Sequence, residues 1–252
     1  MAFSEGAEAS SLGSTVNIFG LTGLLRTASA ETIETGQIAL GASGEFEDSR
    51  MPSYRRYTTR ATITVGLTRV TEVALMFPYL TQSDVNGPGD LEVAGKWRFL
   101  EKEGFPALAV AASAITPTGS ESKGFNTVHD YGFTFKGIAS ANVNLLPLNN
   151  YVFGLYAEMG IFVRDLGKPQ EEKHGFYGAG LLLPIDFLQL LLEVNGTLKD
   201  QSTPAENIVI FTPSLRFVSK RFALSAGYEY TAKEAAGYKN THGAIVAASV
   251  SF

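Results

Sequence analysis

The stretch GAIVAASVSF (Gly243–Phe252) ends the chain, and its reading decides the fold. Ala244, Val246, Ala248, Val250 and Phe252 fall on one side of an extended strand. Gly243, Ile245, Ala247, Ser249 and Ser251 fall on the other, because strand side chains alternate with period two. One face is wholly apolar; the other is small and mostly polar. Chain ends fray unless something holds them. An alternation kept up to a last aromatic residue predicts a terminal strand that is tied down.

Working outward, the same pattern recurs in about twelve extended segments separated by turn signals. They cover residues 37–46, 54–68, 70–80, 90–100, 106–116, 129–142, 150–164, 173–184, 188–199, 207–218, 222–232 and 242–252. In YVFGLYAEMGIFVRD, Tyr151, Phe153, Leu155, Ala157, Met159, Ile161 and Val163 share a face opposite Gly154, Tyr156, Glu158, Gly160 and Arg164. In LQLLLEVNGTLK, Leu188, Leu190, Leu192, Val194 and Leu198 oppose Gln189, Glu193, Asn195, Thr197 and Lys199. No helical period competes. The apolar runs FPALAVAASAI (105–115) and LLLPIDFLQLLLEV (181–194) are too short or too interrupted for a helix of ~18 apolar residues to span a bilayer.

Such strands fit a soluble sandwich with its apolar face inside, or a membrane barrel with its apolar face outside. Three features favour the barrel. The polar faces mix Gly, Ser, Ala and Thr with charges of both signs, as a crowded lumen requires. Aromatics cluster at strand ends: Trp97, Phe99, Tyr151, Phe217, Phe222 and Phe252 toward one set of turns, Tyr57, Tyr79, Tyr131, Tyr228 and Tyr230 toward the other. Connections alternate between tight turns (68–69, 101–105, 184–187, 219–221) and longer polar loops (81–89, 116–128, 165–173, 231–241), the asymmetry of outer-membrane barrels. The expected fold is therefore an all-β, closed antiparallel transmembrane β-barrel of about twelve strands over residues 37–252. Its last strand pairs with its first, because a lipid-embedded sheet can leave no free edge.

Composition agrees. Charged residues make up 18% of the chain, below the roughly 25% of soluble domains. There are no cysteines, so neither a disulfide framework nor a thiolate metal site can be drawn. A net charge of -5 disfavours a nucleic-acid partner. The start lacks a basic region followed by an apolar run, which reads as a mature chain without its secretion signal.

Three resemblances add to this. The closing strand is similar to the C-terminal signal of bacterial outer-membrane barrels, which implies that Phe252 is read by the outer-membrane assembly machinery. GDLEVAGKWRFLEKEGFPALAVAASAITPTGS (89–120) resembles outer-membrane channels of the MetA pathway of phenol degradation. In those, a Gly-Asp-Leu strand runs through a Lys-aromatic-Arg step to a Pro-Thr-Gly loop, here Gly89, Asp90, Leu91, Lys96, Trp97, Arg98, Pro117, Thr118 and Gly119. GLTGLLRTASAETIETGQIALGAS (20–43) resembles the start of exopolysaccharide-associated outer-membrane proteins, with Ala28 where those often carry proline.

Residues 1–36 fall outside the strand pattern. They read as a plug folded into the lumen, a periplasmic segment that docks a partner, or a tether. A plug would bury Ile18, Phe19, Leu21, Leu24 and Leu25, which would otherwise form an exposed apolar patch. The residues expected to line the lumen are Glu45, Arg60, Glu72, Glu92, Lys96, Arg98, Lys136, Glu158, Arg164, Glu193, Lys199, Arg216 and Glu229. Either they form a charge ladder that sets selectivity, or they pair across the lumen and fill it.

His129, His174 and His242 lie near long-loop strand ends, on the polar parity or at its edge, with no zinc-motif spacing. That disfavours a metal site. It also disfavours a serine–histidine hydrolase, of the kind seen in outer-membrane phospholipases of about twelve strands, which would need a lipid-facing His beside a Ser. No cofactor and no catalytic residue is expected. The leading expectation is a narrow outer-membrane channel for small polar or amphipathic solutes, with membrane lipids as its surroundings. The alternative is a non-conducting barrel anchoring an envelope protein partner, for example in polysaccharide export. A soluble lipid-binding barrel is a third reading.

Overall fold

The computed structural model describes residues 15–50, 53–82, 85–102, 104–125, 128–144, 152–165, 171–185, 187–198, 207–234 and 241–252. Thirteen strands follow one another: β1 (Ile38–Arg50), β2 (Ser53–Thr68), β3 (Thr71–Gln82), β4 (Val85–Pro88), β5 (Leu91–Leu100), β6 (Ala107–Thr116), β7 (Gly132–Asn144), β8 (Val152–Arg164), β9 (Glu172–Ile185), β10 (Leu188–Leu198), β11 (Asn207–Val218), β12 (Phe222–Glu234) and β13 (Thr241–Ser251). Every pairing is antiparallel, and β2 pairs with both β1 and β3 while β1 pairs with β13, so the sheet closes on itself. Twelve strand positions make the wall. Strand β4 extends β5 upward: it pairs with the outer end of β3, and the Gly89 N–H bonds to the Pro78 carbonyl at the break between them.

The closing strand sits where its alternation requires. Phe252 exchanges backbone hydrogen bonds with Ile38, at 2.9 and 3.3 Å. Its ring is 65% exposed, whereas Ile245 and Ser251 on the opposite parity are fully buried. The alternation holds around the wall. Leu155, Met159, Ile161, Leu215, Leu224 and Val246 are exposed on the outer face, while Glu158, Glu193, Thr212 and Ser225 are buried on the inner one. In water, so much exposed apolar surface would be a liability; against lipid it is the required surface. Trp97, Phe99, Phe187 and Phe222 stand exposed near the short turns, and Tyr57, Tyr79, Tyr131 and Tyr228 near the long loops. Tyr151 lies outside the described residues.

Two details depart from the sequence reading. Strand β1 continues to Arg50, which pairs with Ser53, so one connection on the long-loop side spans only residues 51–52. His242 lies on the outer, lipid-facing parity, opposite Tyr230 on β12, and corrects the expectation that the three histidines fall on the polar parity or at its edge. Its ring bonds to the Tyr228 hydroxyl and lies against the Tyr230 ring.

Residues 15–33 lie inside the barrel. Their polar atoms bond to Glu45 on β1, Thr64 on β2, Glu72 on β3, Lys96 on β5, Ser140 on β7, Glu158 on β8, Glu193 on β10, Arg216 on β11 and Glu229 on β12. Their apolar side chains reach the remaining strands: Leu24 packs with Leu182 on β9, Ile18 and Leu25 with Ile245 on β13, and Leu21 with Ala109 and Ala111 on β6. A segment that touches strands all round a closed wall can only be within it. The contacts run from the short-turn ends, at Glu72, Lys96 and Arg216, to the middle of the wall, at Glu45, Glu158, Glu193 and Glu229, so the inner segment occupies the lumen from the short-turn side to about its middle.

Candidate functional site: the inner segment and the vestibule above it

The inner segment has its own scaffold. The Asn17 Oδ1 accepts the Phe19 and Leu21 N–H groups at 3.0 and 3.1 Å, and its Nδ2 donates to the Arg26 carbonyl at 3.1 Å. Backbone bonds from Ile18 to Leu25 and from Ser29 to Thr22 fold the segment back on itself. Gly20 takes φ +86°, a left-handed conformation that favours glycine, and its carbonyl accepts the Thr64 hydroxyl. The N–H groups left over by this irregular path would be costly to bury unpaired. Wall carboxylates accept them.

Glu193 takes three in a row: Leu25 at 3.0 Å, Arg26 at 2.9 Å and Thr27 at 2.7 Å. Glu72 takes the Thr22 N–H at 2.8 Å, the Thr22 hydroxyl at 2.6 Å and the Ile33 N–H at 3.1 Å. Glu158 takes the Ala28 N–H at 3.1 Å, and the Ser140 hydroxyl takes that of Ala30 at 2.7 Å. The Arg26 side chain bridges Glu45, at 2.6 Å, and Glu229. Burial opposes the Arg26 charge, but the two carboxylates more than offset it and hold the guanidinium above its ordinary pKa. Burial pushes the Glu31 carboxyl up, against partial relief from Ser29, Lys96 and Arg98.

The wall makes room for this segment. A Cβ at Gly180 would collide with the Leu24 Cδ1. Leu24 sits instead against Tyr156, Leu182 and Leu191. These inward apolar residues break the polar parity of their strands, and they do so where the segment docks.

The inner face carries Glu45, Arg60, Glu72, Glu92, Lys96, Arg98, Lys136, Glu158, Arg164, Glu193, Arg216 and Glu229; Lys199 lies outside the described residues. Among the described residues, four ion pairs of the inner wall run between neighbouring strands. Lys96 meets Glu72, its register partner, at 2.9 Å; Arg60 meets Glu45 at 2.8 Å; Lys136 meets Glu158 at 2.9 Å; Arg164 meets its register partner Glu172 at the outer rim. Arg98, near the short turns, holds the Arg69 carbonyl at 2.7 Å and Glu101 at 3.1 Å. Arg216 is fully buried and donates to the Ser225 hydroxyl at 3.0 Å, the Thr15 hydroxyl at 3.3 Å and the Gly23 carbonyl at 3.4 Å.

Above the segment, toward the long loops, lies a cavity of about 310 Å³. Phe19, Leu21 and Arg26 contribute its floor. Its wall comes from outer strand ends, including Glu92, Lys136, Phe162, His174, Phe176 and Ile210. One long loop is folded onto the rim beside it. Asp90 accepts the Gly119 N–H at 2.7 Å and the Val128 N–H at 3.0 Å, and the Thr118 hydroxyl accepts the Leu91 N–H at 2.8 Å. The Gly-Asp-Leu and Pro-Thr-Gly steps, whose Leu91 and Thr118 stand 27 residues apart in sequence, are thus two sides of one hydrogen-bonded corner.

No protein-family model and no curated protein matches the sequence. Solved structures do. An outer-membrane channel from Pseudomonas putida F1 is similar at TM-score 0.60 and 12% identity, over 91% of this chain and 100% of that one. The NanC porin is similar at 0.57 and 10%, over 84% and 98%. The beta domain of the Bordetella autotransporter BrkA is similar at 0.54 and 15%, over 87% and 100%. At these identities the likeness speaks to the fold. With the apolar outer surface, it defines the fold as a closed antiparallel transmembrane β-barrel, the architecture of those outer-membrane proteins.

Proposed function

We propose that the protein is an outer-membrane channel for passive diffusion of small polar or amphipathic solutes, with residues 15–33 as its resident plug. One observation carries the reading: a vestibule opens toward the long loops and is floored by a segment that is not part of the wall. The segment joins β1 near the short turns and is part of no wall strand, so it can withdraw without unpairing one. It is held by hydrogen bonds to wall carboxylates, which water can replace one at a time, and by the packing of Ile18, Leu21, Leu24 and Leu25 against the wall. Likeness to solved structures described as a channel and a porin adds support.

A second reading, a non-conducting anchor for an envelope protein partner, draws on the same segment, because its polar groups are so fully matched to the wall. Liposome swelling separates the two. Proteoliposomes in a gradient of small sugars or amino acids swell at rates graded by solute size if the channel reading holds. Folded, inserted protein that gives no swelling with any solute overturns it and favours the anchor.

A further inference from the structure

The vestibule has an unbalanced charge. Four charged side chains line it: Arg26, Glu92, Lys136 and Glu158. Arg26 is committed to Glu45 and Glu229, and Lys136 to Glu158 at 2.9 Å. Arg60, stacked over the Phe19 ring at 5.9 Å, is committed to Glu45. Glu92 has no ion-pair partner among the described residues. Most of the remaining lining is apolar or aromatic, including Phe19, Phe162 and Phe176, with His174 against Phe162 at 5.0 Å between ring centroids.

A carboxylate with no ion-pair partner among the described residues, in a cavity with several ring faces, is complementary to one kind of guest. An ammonium group would pair with Glu92 and draw further stabilisation from the rings. Its apolar body would replace poorly bound water against the cavity wall. An anion would find the three nearby cations, Arg26, Arg60 and Lys136, already paired. A cavity of this size accepts a small organic molecule.

We propose that the vestibule binds a small organic ammonium ion with an apolar or aromatic body, its charge on Glu92 and its body among Phe19, Phe162 and Phe176. This deepens the channel reading, since it names the solute class that the vestibule selects, and it rests on that reading only for its physiological meaning.

The test is isothermal titration of the full chain in detergent with three probes of one shape: phenethylammonium, neutral 2-phenylethanol and anionic phenylacetate. The expected result is at least roughly tenfold tighter binding of the ammonium than of the alcohol, the scale of one charge-assisted hydrogen bond. Glu92→Gln then removes the preference and leaves the alcohol unchanged. Should that variant fail to give a folded, heat-modifiable barrel, Glu92→Asp keeps the charge, shortens its reach and weakens the ammonium alone. Phe176→Leu weakens the ammonium and the alcohol together. Equal affinity for all three probes, no binding of any, or a preference that survives Glu92→Gln overturns the inference. Binding is read here without transport. A barrel that binds the ammonium but passes no solute therefore sinks only the channel reading, and one that conducts without the preference sinks only this one.

Discussion

Glu193→Gln is the most informative single change to the inner segment. The wild-type carboxylate presents one oxygen to the Leu25 N–H and the other to the N–H groups of Arg26 and Thr27. An amide has one acceptor oxygen. Oriented to keep two bonds, it turns its NH2 toward the Leu25 N–H. The change removes one charge-assisted bond, strips the charge from two more and leaves a buried donor facing a donor. An unsatisfied buried donor costs about 1–3 kcal/mol, and bonds to charged groups contribute about 1.5–3 kcal/mol. Allowing for relaxation, the docked segment should lose about 3 kcal/mol, close to two decades in its docked-to-undocked ratio, since every ~1.4 kcal/mol is tenfold. Hydrogen–deuterium exchange in detergent reads this ratio directly, because local opening sets amide protection. Protection of amides 18–30 should fall about a hundredfold, while amides of β12 and β13 stay protected. Unchanged protection of 18–30 in a folded barrel would refute the argument that wall carboxylates hold the segment.

Further outcomes follow from other residues. Gly180→Val places side-chain atoms where Leu24 lies, so the segment should be displaced while the wall still forms; exchange of amides 18–30 should rise, with heat-modifiable gel migration kept. Glu31→Gln should strengthen docking at neutral pH. The docked carboxyl titrates above its ordinary value, so docking loses stability as pH rises through that raised value, and a neutral amide removes the loss; protection that falls instead would contradict the assignment. Asp90→Ala removes the acceptor of Gly119 and Val128, so trypsin should cut at Lys123 faster while thermal stability of the barrel barely moves. Deleting Phe252 should lower the amount of barrel assembled in cells yet spare refolding into detergent, because the residue contributes only edge pairing and an exposed ring; equal loss in both settings would point to a structural role alone.

The wall was legible in the sequence because a period of two is a local signal. Leu155 and Glu158, or Leu190 and Glu193, declare opposite faces without knowledge of any partner. The interior was legible only in part. Glu193, Glu72 and Glu158 could be placed inward by parity. Two roles were open for them, a selectivity ladder or cross-lumen pairing. Instead they accept backbone N–H groups of residues 22–33 or pair with a neighbouring strand. An irregular segment has no period, so its N–H groups are invisible to pattern reading. The available signal was the set of inward apolar residues, Tyr156, Leu182, Leu191 and Ile245, which a water-filled lumen would not need. Read together with Ile18, Leu24 and Leu25, they match a buried guest. His242 was misplaced because a strand-end residue between polar neighbours gives parity little to fix on.

The central claim is that residues 15–33 close a lumen that is otherwise open. Single-channel recording in planar bilayers, comparing the full chain with one lacking residues 1–36, tests it most directly. Removing the segment takes Arg26 from Glu45 and Glu229 and takes the backbone donors from Glu72, Glu158 and Glu193, while charges of both signs stay on the inner face. The account predicts a nearly silent full chain with brief openings, and steady conductance without strong ion selectivity from the shortened one. Equal conductance from both would contradict the plug, and silence from both, in protein shown to be inserted and folded, would contradict the channel.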